Sequence, residues 1–204
     1  LYTHYLRPKD YGVLDLLDLF GNIVSALVGM RLGQGLFYFY FHAQDENDRS
    51  RFVNTALAGS MVLGLLTAAV VFPAAGALSG LVLGDRSYAP LFRIFIIGFA
   101  ASLPVEFGYC YLRVLDRTKL FTVVSSARLV ASVVLNIAFL AGFHLGAASI
   151  LWSAVIVNAS LTVVLTGIVL ANNPLRIGRR HFVELVKYSA PLGISGLGEL
   201  GLHF

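Results

Sequence analysis

Two stretches of this chain contain no Asp, Glu, Lys or Arg at all: Phe52 to Gly84, and Leu129 to Leu175. A bilayer core is crossed by about 20 consecutive apolar residues in a helix, so the first stretch is long enough for one crossing and the second for two. The rest of the chain agrees. Only 13% of its 204 residues are charged, against about a quarter in soluble domains, and 57% are hydrophobic. The mean hydropathy is +0.79. A chain so poor in charge cannot coat a water-facing surface, and its apolar runs lack the ten-residue alternation of a transmembrane barrel. The fold class expected is therefore all-α: a polytopic transmembrane helix bundle.

Charged clusters divide the bundle. A polar loop at 1–10 precedes a first span at 12–41, longer than a bilayer requires. Loop 43–51, AQDENDRSR, leads to a second span at 52–72, which Pro73 is expected to bend or end. The turn 84–90, GDRSYAP, opens a third span at 91–112, and the short loop 113–119 a fourth at 120–142. A turn at 142–146 holding His144 leads to a fifth span at 147–171. Loop 172–181, NNPLRIGRRH, precedes the start of a sixth at Phe182. The aromatic run FYFYF at 37–41 sits beside a polar loop, as an interfacial belt does.

Alternate loops fall on opposite sides of the membrane. Loops 43–51, 113–119 and 172–181 hold Arg49, Arg51, Arg113, Arg117, Lys119, Arg176, Arg179 and Arg180, while the other set holds Arg7, Lys9 and Arg86. The positive-inside rule places the first set in the cytoplasm. It also accounts for the formal net charge of +4 without a nucleic-acid partner. The first loop then faces outward, which calls for an odd number of helices ahead of it, and one suffices. With no initiating Met, and with an apolar run still open at Phe204, both ends read as truncations. Cys110 is the single cysteine, which excludes an internal disulfide.

Catalytic and metal-binding constellations are not found in the sequence, and no cofactor is expected; the chain does not read as an enzyme. Gly196, Gly198 and Gly201 lack the strand–turn–helix setting of a dinucleotide fingerprint. Charges inside spans carry the functional signal, because a charge at the bilayer centre costs at least about 2.5–3.5 kcal/mol on insertion scales. Arg31, Glu106 and Arg128 lie seven to ten residues from the inner ends of their spans, roughly 10–15 Å deep at 1.5 Å per residue. Glu106 and Arg128 belong to an antiparallel hairpin and are placed to pair. Arg31 is left as a free cation, and the arrangement reads as an anion-binding chamber open toward the cytoplasm. Snorkelling of the arginines to the interface is the plainer reading. Asp15, Asp18 and Arg93 sit near outer helix ends as coupling or ion-pair candidates, Asp15 and Asp18 three apart on one face. Gly29 with Gly33, and Gly76, Gly80 and Gly84, have the small-xxx-small spacing of close helix contacts. Asn54, Asn136 and Asn158 are expected to hydrogen-bond between helices.

Five segments carry a family resemblance: LRPKDYGVLDLL at 6–17, GMRLGQGLFYFYF at 29–41, GDRSYAPLFRIF at 84–95, YLRVLDRTKLFTVVSSARLVASVVLNIAFL at 111–140 and LVKYSAPLGISGLGELG at 185–201. They resemble the polysaccharide biosynthesis proteins, the lipid-linked oligosaccharide flippases of the multidrug/oligosaccharidyl-lipid/polysaccharide exporter superfamily. The resemblance implies a transporter of twelve to fourteen helices in two halves, working by alternating access in the inner (cytoplasmic) membrane. Residues 1–181 then form the N-terminal bundle without its first helix, and 182–204 begin the second. It also implies an undecaprenyl-diphosphate-linked oligosaccharide as substrate, with its phosphates contacted by Arg31 and Arg128, membrane lipids as surroundings and a polysaccharide polymerase as a possible partner. Two other readings stand beside it: a multidrug and toxin extrusion-type cation antiporter resting on Asp15, Asp18 and Glu106, and a non-transporting membrane scaffold.

Overall fold

A computed structural model describes residues 8–28, 32–43, 45–143, 146–178 and 180–189. Its helices are α1 (Pro8–Val28), α2 (Leu32–His42), α3 (Glu46–Val82), α4 (Ala89–Val114), α5 (Thr118–Phe143) and α6 (Ala147–Asn172), with a 3₁₀ turn at Arg86–Tyr88 before α4 and a helical run at 180–189. No strand occurs among the described residues. Among the described residues four helices are long and apolar enough to cross a membrane, those formed by Glu46–Val82, Arg86–Val114, Thr118–Gly142 and Ala147–Asn172. No more than 33% of the apolar window of any of them is buried within the chain. Outward faces this apolar are stable only against lipid or further protein, so the chain is a multi-pass membrane protein.

Helix boundaries depart from the sequence expectation at two prolines, and α3 also begins at Glu46, inside the stretch 43–51 expected as loop. α1 begins at Pro8, inside the stretch expected as loop. A proline is well placed in a first helical turn, where its missing N–H has no intrahelical partner to lose. α3 runs unbroken through Pro73. Pro73 deprives the Ala69 carbonyl of its donor, but Ala68 and Val71 before it and Ala75, Leu78 and Val82 after it pack into one apolar cluster with Phe92 and Ile96 of α4. Tertiary burial on both sides of the proline outweighs the local loss. The expected first span, 12–41, falls on α1 and α2, and the residues between them lie outside the described set, as does His144.

Each turn has its own local cause. Asp45 caps α3, its carboxylate accepting from the Asp48 amide at 2.6 Å. At the α3–α4 turn Gly84 adopts φ +71°, open to glycine without strain. Asp85 then accepts from the Ser87 amide at 2.8 Å. That backbone hydrogen bond holds the Asp85 carboxyl below its ordinary value. The stabilisation is therefore present at neutral pH and lost as the pH falls through the depressed value.

α4 is the central element, packed against α3 on one side and α6 on the other, and α5 packs on α6. Two apolar clusters hold it at different heights. Val13, Leu17, Ala75, Phe92, Ile96 and Leu151 form one. Leu36, Phe52, Val53, Leu57, Phe107, Tyr111, Val114, Val169 and Leu185 form the other. Between them Pro104 sits inside the continuous α4 and leaves the Ala100 carbonyl without its intrahelical donor, and the neighbouring helices close in. Asn158 donates to the Gly98 carbonyl at 3.2 Å and Thr162 to that of Ala101 at 2.8 Å, both from α6. Gly64 of α3 lies so close that an added Cβ would stand 2.5 Å from the Ala100 oxygen. In hydrocarbon, where no water serves freed carbonyls, such contacts make a mid-helix proline tolerable.

The segment after α6 is tied down rather than draped. Ser50 donates to the Asn173 side-chain oxygen at 3.4 Å, Asn54 to the Pro174 carbonyl at 2.7 Å, and the Gly178 amide to Thr55 Oγ1 at 3.2 Å. His181 Nε2 lies 2.7 Å from Asp48. All four partners belong to the first turns of α3. Beyond them Leu185 is fully buried in the second cluster and Tyr188 stacks on Tyr38 with ring centroids 4.6 Å apart. Asn173 is the hub, donating also to the Tyr111 hydroxyl at 2.7 Å and the Val169 carbonyl at 2.9 Å. Asn173→Leu strands these buried groups and is expected to cost about 2–3 kcal/mol, read as a lowered thermal unfolding midpoint of the purified protein. An unchanged midpoint would show that the network adds nothing to stability.

Candidate functional site

At mid-height, between the two apolar clusters, the helices enclose a cavity of about 680 Å³. One face of α4 supplies Phe95, Phe99, Ser102, Glu106, Cys110 and Arg113, spaced three and four apart so that they stack along one side of the helix. α1 adds Asp18, Gly21, Asn22 and Ser25 in the same rhythm, α3 adds Ser60 and Leu63, α2 adds Gly33, and α5 adds Arg128. A polar stripe on an otherwise apolar membrane helix is costly unless it faces water, a partner or a ligand. Two such stripes, on α4 and α1, converge here.

The expected site residues separate into groups. Glu106, Arg128 and Asp18 all line the cavity. Asp15, three residues from Asp18, is exposed and is not part of the wall. Arg93 is exposed on α4 with its guanidinium 5.5 Å from the centre of the Phe72 ring, away from the cavity. Arg31 lies outside the described residues. Glu106 and Arg128 share the wall but form no ion pair. Arg128 instead donates to Asn158 Oδ1 at 3.3 Å and sits 5.8 Å above the Tyr109 ring. Asn158 does join helices as expected, bridging Arg128 of α5 to the Gly98 carbonyl of α4. Asn54 ties α3 to Pro174.

Arg113 is a cavity-lining side chain that the sequence reading assigned to a loop. It belongs to the last turn of α4, lines the cavity, and holds its guanidinium 4.9 Å above the Phe121 ring. The signal for it was present: Glu106, Cys110 and Arg113 stand at i, i+4 and i+7. The described wall thus carries two carboxylates, Asp18 and Glu106, and two guanidiniums, Arg113 and Arg128. It is mixed in sign, where the sequence had suggested a cationic chamber. Among the described residues no group of His, Cys, Asp and Glu is arranged to hold a metal ion.

The family model for the polysaccharide biosynthesis proteins matches residues 3–202, nearly the whole chain. The chain belongs to that family. No curated protein sequence matches it. Among solved structures, it is similar to a MATE protein crystallised in complex with Br-NRF, with a TM-score of 0.74 and 16% identity over 97% of this chain and 48% of that one. It is also similar to an outward-facing multidrug resistance MATE family transporter of the MOP superfamily, with a TM-score of 0.77 and 14% identity over 96% of this chain and 47% of that one. Sequence identity this low leaves the likeness one of fold. This member of the family spans about half the length of either structure, with the fold of a fragment of a transporter helix bundle.

Proposed function

We propose that the chain is the N-terminal part of a flippase that carries an undecaprenyl-diphosphate-linked oligosaccharide across the cytoplasmic membrane for surface polysaccharide biosynthesis. The observation that carries this reading is a cavity between the helices, in a member of the polysaccharide biosynthesis family, with Arg113 and Arg128 in its wall. A guanidinium is weakly hydrated, permanently charged and forked to match phosphate oxygens. Serine and asparagine side chains beside it supply neutral hydrogen bonds for the sugar. On this reading residues 1–181 belong to one bundle and 182–204 begin its counterpart. The Arg-rich loops face the cytoplasm, and a polysaccharide polymerase takes the flipped product. The protein moves its substrate and changes no covalent bond.

A second reading, a cation antiporter of the MATE type, is favoured by Asp18 and Glu106 in the same wall and by the fold. One experiment separates them. The full-length gene is expressed in a bacterium lacking its lipid-linked oligosaccharide flippase and, separately, in a strain lacking drug efflux pumps. Restored surface glycan without drug resistance is expected. Drug resistance without surface glycan would replace the flippase reading with the antiporter, and neither would favour the scaffold.

A further inference from the structure

The helical run at 180–189 has one buried face. His181, Leu185 and Ser189, four residues apart, are 8%, 0% and 0% exposed, while Phe182, Val183 and Lys187 between them are exposed. Residues at i, i+4 and i+8 stack along one side of a helix, and helices of the first bundle cover that side along its length. His181 stands edge-on to the Phe52 ring of α3, centroids 4.5 Å apart, with its Nε2 against Asp48. Leu185 enters the cluster of Leu36, Phe52 and Val53. Ser189 lies so close to Gly35 of α2 that a Cβ added to the glycine would stand 2.5 Å from the serine oxygen.

The loop ahead of this run is held as firmly. A hinge absorbs changes of φ and ψ in a few loop or element-terminal residues, and a backbone fixed at both ends has no such freedom. The Pro174 carbonyl accepts from Asn54, and the Gly178 amide donates to Thr55, its neighbour on α3. Asn173, 5% exposed, is bonded to Ser50 and Tyr111 at once. Pulling 180–189 off the bundle would bring Leu185, Leu36 and Phe52 out of the core and strand the polar partners of the loop. Elements that move in a working cycle come from the weakly held parts of a structure, with few buried apolar contacts. This contact is built as core.

We infer that residues 173–189 travel with the first bundle during transport, so that loop 172–181 is a clamp and the boundary between the two moving bodies lies beyond Ser189. The inference rests on the proposed function and deepens it: the passage of the chain from one bundle to the next, at 181, is not the mechanical boundary. In the opposite arrangement 180–189 moves with the second bundle, and the same contact is a gate that opens once per cycle.

A covalent tie between α2 and the run separates the two arrangements. Gly35→Cys and Ser189→Cys are combined in the full-length protein, where the close approach of these positions suits a disulfide, with its Cβ atoms about 3.5–4.5 Å apart. Each single variant is the control for the oxidant and for the lost glycine. The proteins are expressed in a flippase-deficient host, and the cells are treated with copper phenanthroline. Glycan synthesis is then induced, and newly displayed glycan is followed by surface labelling. The disulfide, read by mass spectrometry, is expected to form. Display is expected to be the same before oxidation, after it, and after reduction with dithiothreitol. Display lost on oxidation of the double variant alone, and regained with dithiothreitol, would overturn the inference and make the contact a gate, with the flippase reading intact. Absence of the disulfide from the membrane-inserted protein would overturn it too, by denying the contact. If Gly35→Cys fails to reach the membrane, Tyr38→Cys with Tyr188→Cys, at rings stacked 4.6 Å apart, is joined by a bifunctional methanethiosulfonate and judged by the same outcomes. A parent protein that displays no glycan would overturn the flippase reading and the division into moving bodies together.

Discussion

Arg128→Ala in the full-length protein is expected to reduce surface glycan display about 10- to 100-fold while leaving the amount of protein in the membrane unchanged. The two halves of that expectation have separate causes. Arg128 lies in the middle of an apolar helix, where a charge costs at least about 2.5–3.5 kcal/mol to insert. Alanine removes that cost, so insertion does not suffer. The loss falls on the cavity. A hydrogen bond to a charged group is worth about 1.5–3 kcal/mol, and each 1.4 kcal/mol is tenfold in an equilibrium constant. Arg128→Lys separates charge from shape. The ammonium keeps the charge but has no fork, so it cannot hold Asn158 and a phosphate oxygen together in one plane. Partial rescue by lysine is expected. Glycan display is read by surface labelling in a flippase-deficient host, and membrane abundance by immunoblot. Wild-type display from Arg128→Ala would remove the guanidinium from any account of transport and shift weight to Asp18 and Glu106.

How far the sequence reveals this structure depends on whether a feature lives in composition or in facing. Helices α3 to α6 were legible because each is a long run of apolar residues between charged turns, and apolarity on all sides is what lipid demands. Expected spans 91–112, 120–142 and 147–171 meet helices Ala89–Val114, Thr118–Phe143 and Ala147–Asn172. Pro73 was misjudged because its local penalty is visible in sequence and the packing that outweighs it is not. Pro73 is held by the cluster around Phe92 and Ile96, which joins residues of α1, α3, α4 and α6.

The site divides in the same way. Glu106 and Arg128 stood out as charges deep in apolar helices. Arg113 did not, because it lies where a helix end and a loop look alike in sequence. Only the i, i+4, i+7 register with Glu106 and Cys110 reveals its face. Asp15 and Asp18 share a face of α1 by spacing, yet only Asp18 reaches the cavity.

Glycines give the sharpest contrast, and a pair of substitutions turns it into a prediction. Gly76, Gly80 and Gly84 have the spacing associated with close helix contact, yet an added Cβ at Gly76 or Gly84 meets nothing within 4 Å, and at Gly80 meets only the Arg86 side chain. Gly64, with Ser60 and Ala68 four residues to either side, is the position where the spacing does mark a close contact: a Cβ added there would stand 2.5 Å from the Ala100 oxygen. The obstacle there is backbone, in the turn of α4 that Pro104 opens, so no rotamer change relieves the clash. Gly64→Ala is expected to cost about 1–3 kcal/mol, the usual penalty of overpacking. Gly64→Leu adds three more carbons to the same gap and is expected to consume most of a margin of about 5–15 kcal/mol. The result should be little monodisperse protein after solubilisation. Gly76→Leu, on the same helix, should be recovered at parental yield with its unfolding midpoint unchanged. Size-exclusion profiles of the three variants decide the matter. If Gly64→Leu behaves like Gly76→Leu, α3 and α4 do not meet at the proline turn, and the wall of the cavity that Ser60, Ser102 and Glu106 share is arranged differently. If only Gly64→Leu collapses, the close approach of α3 to α4 is what positions the polar stripe of α4 against the cavity.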